Sequence, residues 1–296
     1  MTFFDRGSKL SQTESGVSRQ IRMMILIFVS ILACTATQDK RGKMNYPADT
    51  VIGVINVLES YATHTHWGSI STERFTKTHA VDWEMPAYMD NELTKLLQHD
   101  QRFTLVRIPR KESFDLNQYT KDFSDLANTD SITPLLADRL ARLAEASNVD
   151  VIILIYSYNG PSIYTYNAPS PKFNPAKAPI WLQGYGLFTR WLHSARLLRW
   201  LPFRGAYPYA HIAVSVFSFR PLTRIATGRP KMTSTSLGEF DWPSDIKKLP
   251  LLELNKARPG IDKYANQALH NALQISNLLS PEPPPAPVPP GTMPPR

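Results

Sequence analysis

The sequence predicts an α/β fold: a single domain with helices packed on a mixed β-sheet. Two observations lead to this prediction. Short runs of β-branched and aliphatic residues alternate along the chain with longer segments whose apolar residues recur every three or four positions. Some of the short runs are apolar throughout, which is typical of central strands, whereas others alternate apolar and polar residues like antiparallel edge strands.

The first half of the chain predicts the order strand, helix, strand. Residues 51–58 predict a buried strand, and residues 61–70 alternate like a second strand or a hairpin arm. Residues 85–99 predict a helix, because Pro86 suits a first turn and leucines follow at helical spacing. Residues 103–108 then predict a short strand.

The second half of the chain also alternates predicted helices and strands. Thr133 and Pro134 predict the N-cap and first turn of a second helix. Residues 149–156 are apolar on both faces and predict a central strand. The other predicted elements are a surface insertion over 159–179, a helix over 188–204, strands over 209–219 and 222–227, and a C-terminal helix over 261–279.

Cys34 is the only cysteine, which excludes an internal disulfide framework. It follows an apolar run, 23–33, which Arg19 and Arg22 precede. A mostly apolar run of eleven residues is too short to span a bilayer, but it suits the central region of a signal peptide. The segment Ile31-Leu32-Ala33-Cys34 resembles the lipobox of bacterial lipoproteins, and the resemblance implies lipidation of Cys34. The alternatives are an ordinary signal peptide or a buried N-terminal helix with a free cysteine.

The lipoprotein interpretation divides the chain into four parts. They are a signal peptide (1–33), a lipid-anchored tether (34–49), an α/β periplasmic domain (50–279) and a Pro-rich tail (280–296). The tether and the tail have no apolar period, which predicts disorder. Thr35 follows the cysteine, and resemblance to enteric lipoproteins then implies the periplasmic face of the outer membrane. That compartment excludes nucleic acid as a partner.

Charge is distributed unevenly along the chain. The net charge is +8, and residues 1–33 hold four basic and two acidic residues, which leaves +6 after cleavage. Residues 34–150 hold 13 basic and 17 acidic residues, 151–238 hold ten basic and none acidic, and 239–296 hold six of each. The acid-free stretch predicts a positive surface and an anionic partner: a lipid, lipopolysaccharide or a cell-wall polymer.

Residues 188–204 are the most basic and aromatic part of that stretch. As a helix, they would carry tryptophan and apolar residues on one face with arginines beside it, a pattern typical of helices on membrane surfaces. The alternative is a core-facing helix with a solvated basic face. The candidate contact residues are Arg190, Trp191, Arg196, Arg199, Trp200 and Arg204.

His64 and His66 are the candidates for a metal site. On a strand, this spacing places both imidazoles on one face, although histidines in strands are common without a metal. No glycine-rich phosphate loop and no G-x-S-x-G sequence occurs, so neither a catalytic residue nor a cofactor is predicted. Gly184 and Gly186 predict a tight bend or a close backbone approach within a strand.

The order of elements resembles the curli-secretion lipoprotein and the penicillin-binding-protein activator lipoproteins. The resemblance rests on the strands at 102–106 and 149–153 and on the helices between and before them. Residues 183–188, followed by a Tyr-Ala strand, are also similar to a family of uncharacterised bacterial envelope lipoproteins. The resemblance implies a non-enzymatic binding or assembly role, with an envelope protein as a further candidate partner. The alternatives are a metal-dependent envelope enzyme using His64 and His66, or an oligomeric secretion-linked component.

Overall fold

In the computed structural model of the protein, all residues whose structure is described belong to one compact unit, Asn45–Arg296. The predicted signal peptide, Cys34 and the Pro-rich tail lie outside them. The described residues are 46–68, 71–98, 102–109, 116–161, 180–192, 203–233 and 235–279.

Eleven strands and five α-helices form from the described residues. The strands are β1 (Thr50–Asn56), β2 (Tyr61–Trp67), β3 (Phe75–Ala80), β4 (Phe103–Arg107), β5 (Val151–Ser157), β6 (Asn159–Pro161), β7 (Trp181–Gln183), β8 (Tyr185–Leu192), β9 (Phe203–Ala210), β10 (Ile212–Ser218) and β11 (Thr223–Gly228). The helices are α1 (Met85–Leu97), α2 (Leu116–Thr129), α3 (Pro134–Ala146), α4 (Leu251–Asn255) and α5 (Arg258–Ile275).

The larger sheet, which we call the core sheet, has the strand order β11–β10–β5–β1–β4. Strands β4, β1 and β5 are parallel, and β10 and β11 are antiparallel to their neighbours. Ile153 and Ile155 pack in one hydrophobic cluster with α1 and α5, whereas Ile152 and Leu154 pack in another with α2 and α3. The core sheet is therefore covered by helices on both faces, as its apolar strands predict.

The second sheet, which we call the polar sheet, has the order β3–β2–β8–β9. One face shares the hydrophobic cluster of α5 through Leu187 and Ala206. On the opposite face, Phe188 packs with Leu182 of the two-stranded β6–β7 ribbon and with Ile180, which precedes β7. The interior of this sheet is less apolar, because β2 buries two histidines and two threonines.

A single residue, His211, joins the two sheets between β9 and β10. Its backbone N–H donates to the carbonyl of Gly184 at 2.7 Å, and its carbonyl accepts from the N–H of Tyr158 at 3.0 Å. Its ring is buried against Gly160, where an added Cβ would lie 2.0 Å from Nδ1. The chain therefore passes from the polar sheet into the core sheet through one residue, without a turn.

The predicted α/β class, with helices packed on a mixed sheet, is confirmed. The predicted helix over 188–204 is wrong, because its described residues belong to β8 and β9. Leu187 and Phe188 are both fully buried on opposite faces, so the apolar residues of β8 do not alternate as in a half-exposed strand. The sequence pattern does not predict β3 or α2, and β6 lies in the segment predicted to be a surface insertion.

Candidate anion-binding surface

One end of the polar sheet gathers arginine and tryptophan from four strand ends. Trp67, the last residue of β2, pairs with Arg190 of β8, and Trp191 pairs with Arg204 of β9. Arg74 lies immediately before β3, which pairs with β2. We call this end, which is the one remote from His211, the distal end.

The first face of the distal end carries an arginine–tryptophan stack. The guanidinium carbon of Arg74 lies 3.9 Å from the centre of the Trp67 ring, and Arg74 is exposed. Arg190, beside Trp67, is half-buried, and this burial lowers its pKa from the ordinary value. Arginine nevertheless stays charged at neutral pH, so two cations flank one indole ring.

The other face carries a second stack. The guanidinium carbon of Arg204 lies 4.0 Å from the centre of the Trp191 ring and 5.7 Å from that of Trp242. The two indoles meet edge to face at 6.4 Å, and Trp242 also contacts Phe240 at 5.0 Å. Such contacts fix a long side chain that would otherwise move freely, which lowers the entropy lost when it binds an anion.

The distal end carries three arginines with carboxylates nearby. Glu73 precedes Arg74 and acts electrostatically on His66, and Asp241 precedes Trp242, whose ring faces Arg204. By contrast, Arg224 and Arg229 of the acid-free stretch both form ion pairs with Asp130. Asp130 therefore offsets part of the positive charge that the acid-free stretch predicts, whereas Arg190 and Arg204 of the same stretch lie with Arg74 at the distal end.

The structure brings together three of the six predicted contact residues, Arg190, Trp191 and Arg204. The other three, Arg196, Arg199 and Trp200, lie outside the described residues. Trp67 and Arg74 are not among the predicted contact residues, because they belong to the stretch that is acidic overall. Only the pairing of β2 with both β3 and β8 places them beside Arg190.

His64 and His66 lie on one face of β2, as their spacing predicts. His64 Nε2 and His66 Nδ1 each lie 2.8 Å from the hydroxyl oxygen of Thr189. Since a hydroxyl has one proton, Thr189 donates to one ring and accepts from the other. The Thr189 hydroxyl therefore occupies the point at which the two rings converge.

The surroundings of the histidines disfavour positive charge. Burial lowers the pKa of His64 to about 3, with smaller contributions from His66, His79 and Lys77. The ring of His79 lies 6.2 Å from that of His64. Within the described part of the chain, no group of three or more His, Cys, Asp or Glu residues could hold a metal ion.

Gly186 confirms the predicted close approach of two backbones. It pairs with Thr63 across the parallel β2–β8 ladder. A Cβ at this position would lie 1.9 Å from the carbonyl oxygen of Thr63. Only glycine therefore lets β8 approach β2 closely enough for Thr189 to reach both histidines.

Comparison with protein-family models, curated proteins and solved structures finds no match to this chain. A search of the described helices finds none long and apolar enough to cross a membrane.

Proposed function

We propose that this protein is a lipid-anchored binding protein of the bacterial envelope, without catalytic activity. The anchor is the lipid attached to Cys34, and the envelope location is the periplasmic face of the outer membrane. The binding surface is the distal end of the polar sheet, and its partner is an anionic component of the envelope. The resemblance to assembly lipoproteins in the order of elements agrees with such a role.

The observation that carries this proposal is the pair of arginine–tryptophan stacks at one end of one sheet. Arg74 stacks on Trp67, with Arg190 beside it, and Arg204 stacks on Trp191 on the other face. Arginine presents a planar fork of donors that matches carboxylates and phosphates. Stacking on an indole holds such a fork in place while its edge stays accessible. A surface of this kind suits recognition of an anion more than its chemical conversion.

The metal-dependent enzyme hypothesis draws less support from the geometry. His64 and His66 direct their nitrogen atoms at a hydroxyl that already serves both of them. Metal analysis of the purified protein tests this point directly. One bound transition-metal ion per chain, lost on substitution of His64, would favour the enzyme hypothesis over the binding role.

Metabolic labelling with an alkyne fatty acid tests the anchor. We expect the wild-type protein to be labelled and to fractionate with the outer membrane, because the lipobox directs lipid to the Cys34 thiol. The Cys34→Ala variant is the control, and it should carry no label. An unlabelled wild-type protein, or label that persists in Cys34→Ala, would contradict the proposed anchor.

A further inference from the structure

The chain enters the described domain far from the distal end. The hydroxyl of Tyr46 donates to the carbonyl of Ser276 at 2.8 Å, and its ring meets the ring of Phe103 at 5.9 Å. Phe103 pairs with Thr50 at the start of β1. We call this end of the core sheet the entry end.

One strand path connects the two ends. From Arg204 the chain runs along β9, passes His211 and continues along β10 to Ser218. Ser218 pairs with Val151, and Val151 pairs with Ile52 near the start of β1. The path therefore begins at the distal end and finishes at the entry end.

The path does not fold back on itself. Strands β9 and β10 belong to different sheets, and the single residue between them is too short for a hairpin, which needs at least two loop residues. At roughly 3.3 Å per residue, the steps from Arg204 to Ser218 cover up to about 45 Å. The arginines of the distal end thus lie at the opposite side of the domain from the tether.

We propose that the distal end binds an acidic glycan polymer of the cell wall, and not the membrane that holds the anchor. This inference rests on the proposed lipid anchor, because the anchor decides which end faces the membrane. Eleven residues lie between Cys34 and Tyr46, and their twelve steps reach up to about 40 Å when extended. This reach leaves room for the distal end to contact the wall.

The chemistry of the distal end fits such a polymer. Trp67 and Arg190 lie on the adjacent strands β2 and β8, about 4.8 Å apart, and Arg74 immediately precedes β3 on the other side of β2. Guanidinium groups bind the carboxylates of an acidic glycan, and the indole between them offers a flat apolar surface to a sugar ring. Arg204 and Trp191 repeat this combination on the other face.

Membrane insertion fits the described residues less well. A protein that inserts into a membrane surface does so with exposed apolar side chains. Trp67 and Trp191 are instead half-buried beneath arginines. Among the described residues, none of the exposed large apolar side chains belongs to the two arginine–tryptophan stacks; they are Tyr61, Leu135, Trp181, Leu251, Leu252 and Ile275.

Co-sedimentation with purified peptidoglycan sacculi tests the inference, using the full-length mature protein in non-ionic detergent. We expect binding that weakens as salt rises, because the contacts are ionic. The double variant R74Q/R204Q should bind at least tenfold more weakly. Both arginines are exposed, so the variant should keep the wild-type unfolding temperature.

Two controls isolate the proposed contact. Arg102, which stacks on Phe103 at the entry end, provides a matched arginine, and R102Q should bind sacculi like the wild type. Sacculi whose carboxylates have been converted to amides provide the matched ligand, and binding to them should be lost. Vesicles of phosphatidylethanolamine with phosphatidylglycerol provide the competing surface.

Three outcomes would overturn the inference: binding to the vesicles alone, binding to neither surface, or unchanged binding by R74Q/R204Q. The anchor fails separately, since it is read from fatty-acid labelling. Carboxylate-dependent binding to sacculi by an unlabelled protein would refute the anchor and leave the glycan contact standing. A labelled protein that does not bind sacculi would support the anchor and refute the glycan contact.

Discussion

The core sheet and the polar sheet belong to one domain but differ in what they bury. The central strands of the core sheet bury aliphatic side chains on both faces, such as Ile152 and Ile153 of β5. The polar sheet buries His64, His66 and Thr189 together and ends in stacked arginines. Burying polar groups costs stability unless each finds a partner, so the two sheets should respond differently to mutation and to pH.

The difference indicates a division of roles. The core sheet derives its stability from packing, and its strands would serve almost any function. The polar sheet gives up part of that stabilisation and holds a chemically specific surface at its distal end. Departures from simple apolar patterning commonly mark functional regions, and here they concentrate in one sheet.

The largest expected effect is the loss of a core side chain. Phe217 of β10 is fully buried in the cluster formed with α2 and α3. Phe217→Ala should lower the free energy of unfolding by about 3–5 kcal/mol, since a large cavity replaces the ring. Urea denaturation measures the change. The exposed Leu135 is the control, and a similar loss in Leu135→Ala would contradict the proposed role of the core sheet.

Acid should destabilise the protein through the polar sheet and its junction with the core sheet. Burial lowers the pKa of both His64 and His211 to about 3, against about 6.5 in the unfolded chain. The unfolded state therefore binds more protons below pH 6.5, and stability falls as pH drops from 6.5 towards 3. At pH 5, protonation linked to each of these two histidines should lower the free energy of unfolding by about 2 kcal/mol relative to neutral pH.

Urea denaturation at pH 7 and pH 5 measures this loss. His64→Gln keeps a partner for the Thr189 hydroxyl but cannot be protonated, so it should reduce the loss by about 2 kcal/mol. The five strands of the core sheet contain no histidine. An equal loss in the wild type and in His64→Gln would show that the acid sensitivity arises elsewhere.

The smallest expected effect comes from single hydroxyl groups. Thr189→Val preserves shape but leaves two buried imidazoles without their partner, so we expect a loss of about 1–3 kcal/mol. Tyr156→Phe removes one hydroxyl contact of the core sheet, at 3.1 Å from Ser215, and should cost about 1 kcal/mol. Thermal unfolding of both variants ranks the sites. A larger loss of stability in Tyr156→Phe than in Thr189→Val would contradict this ranking.

Much of the core sheet could be predicted from sequence, because its signals are local. Thr133 caps α3 as predicted, with its hydroxyl oxygen accepting from the N–H of Leu136 at 3.2 Å. The apolar run of β5 likewise required no knowledge of its neighbours. In both cases a few adjacent residues determine the structure.

The polar sheet was harder to predict, because its features depend on distant parts of the chain. The shared face of His64 and His66 follows from strand geometry, but their partner Thr189 lies 125 residues from His64. β8 is apolar on both faces and therefore lacks the alternation that identifies a half-exposed strand. Helix α2 was missed because Tyr119, Phe123 and Leu126 are separated by polar residues that favour helices only weakly.

The single residue between β9 and β10 also determines how the domain would carry mechanical load. Tension between the distal end and the entry end acts along β10, which is bonded to β5 on one side and β11 on the other. The hydrogen bonds of these ladders lie across the direction of pull, so they share the force and do not open one by one. The strand path through His211 would therefore make the domain a stiff link between its two ends.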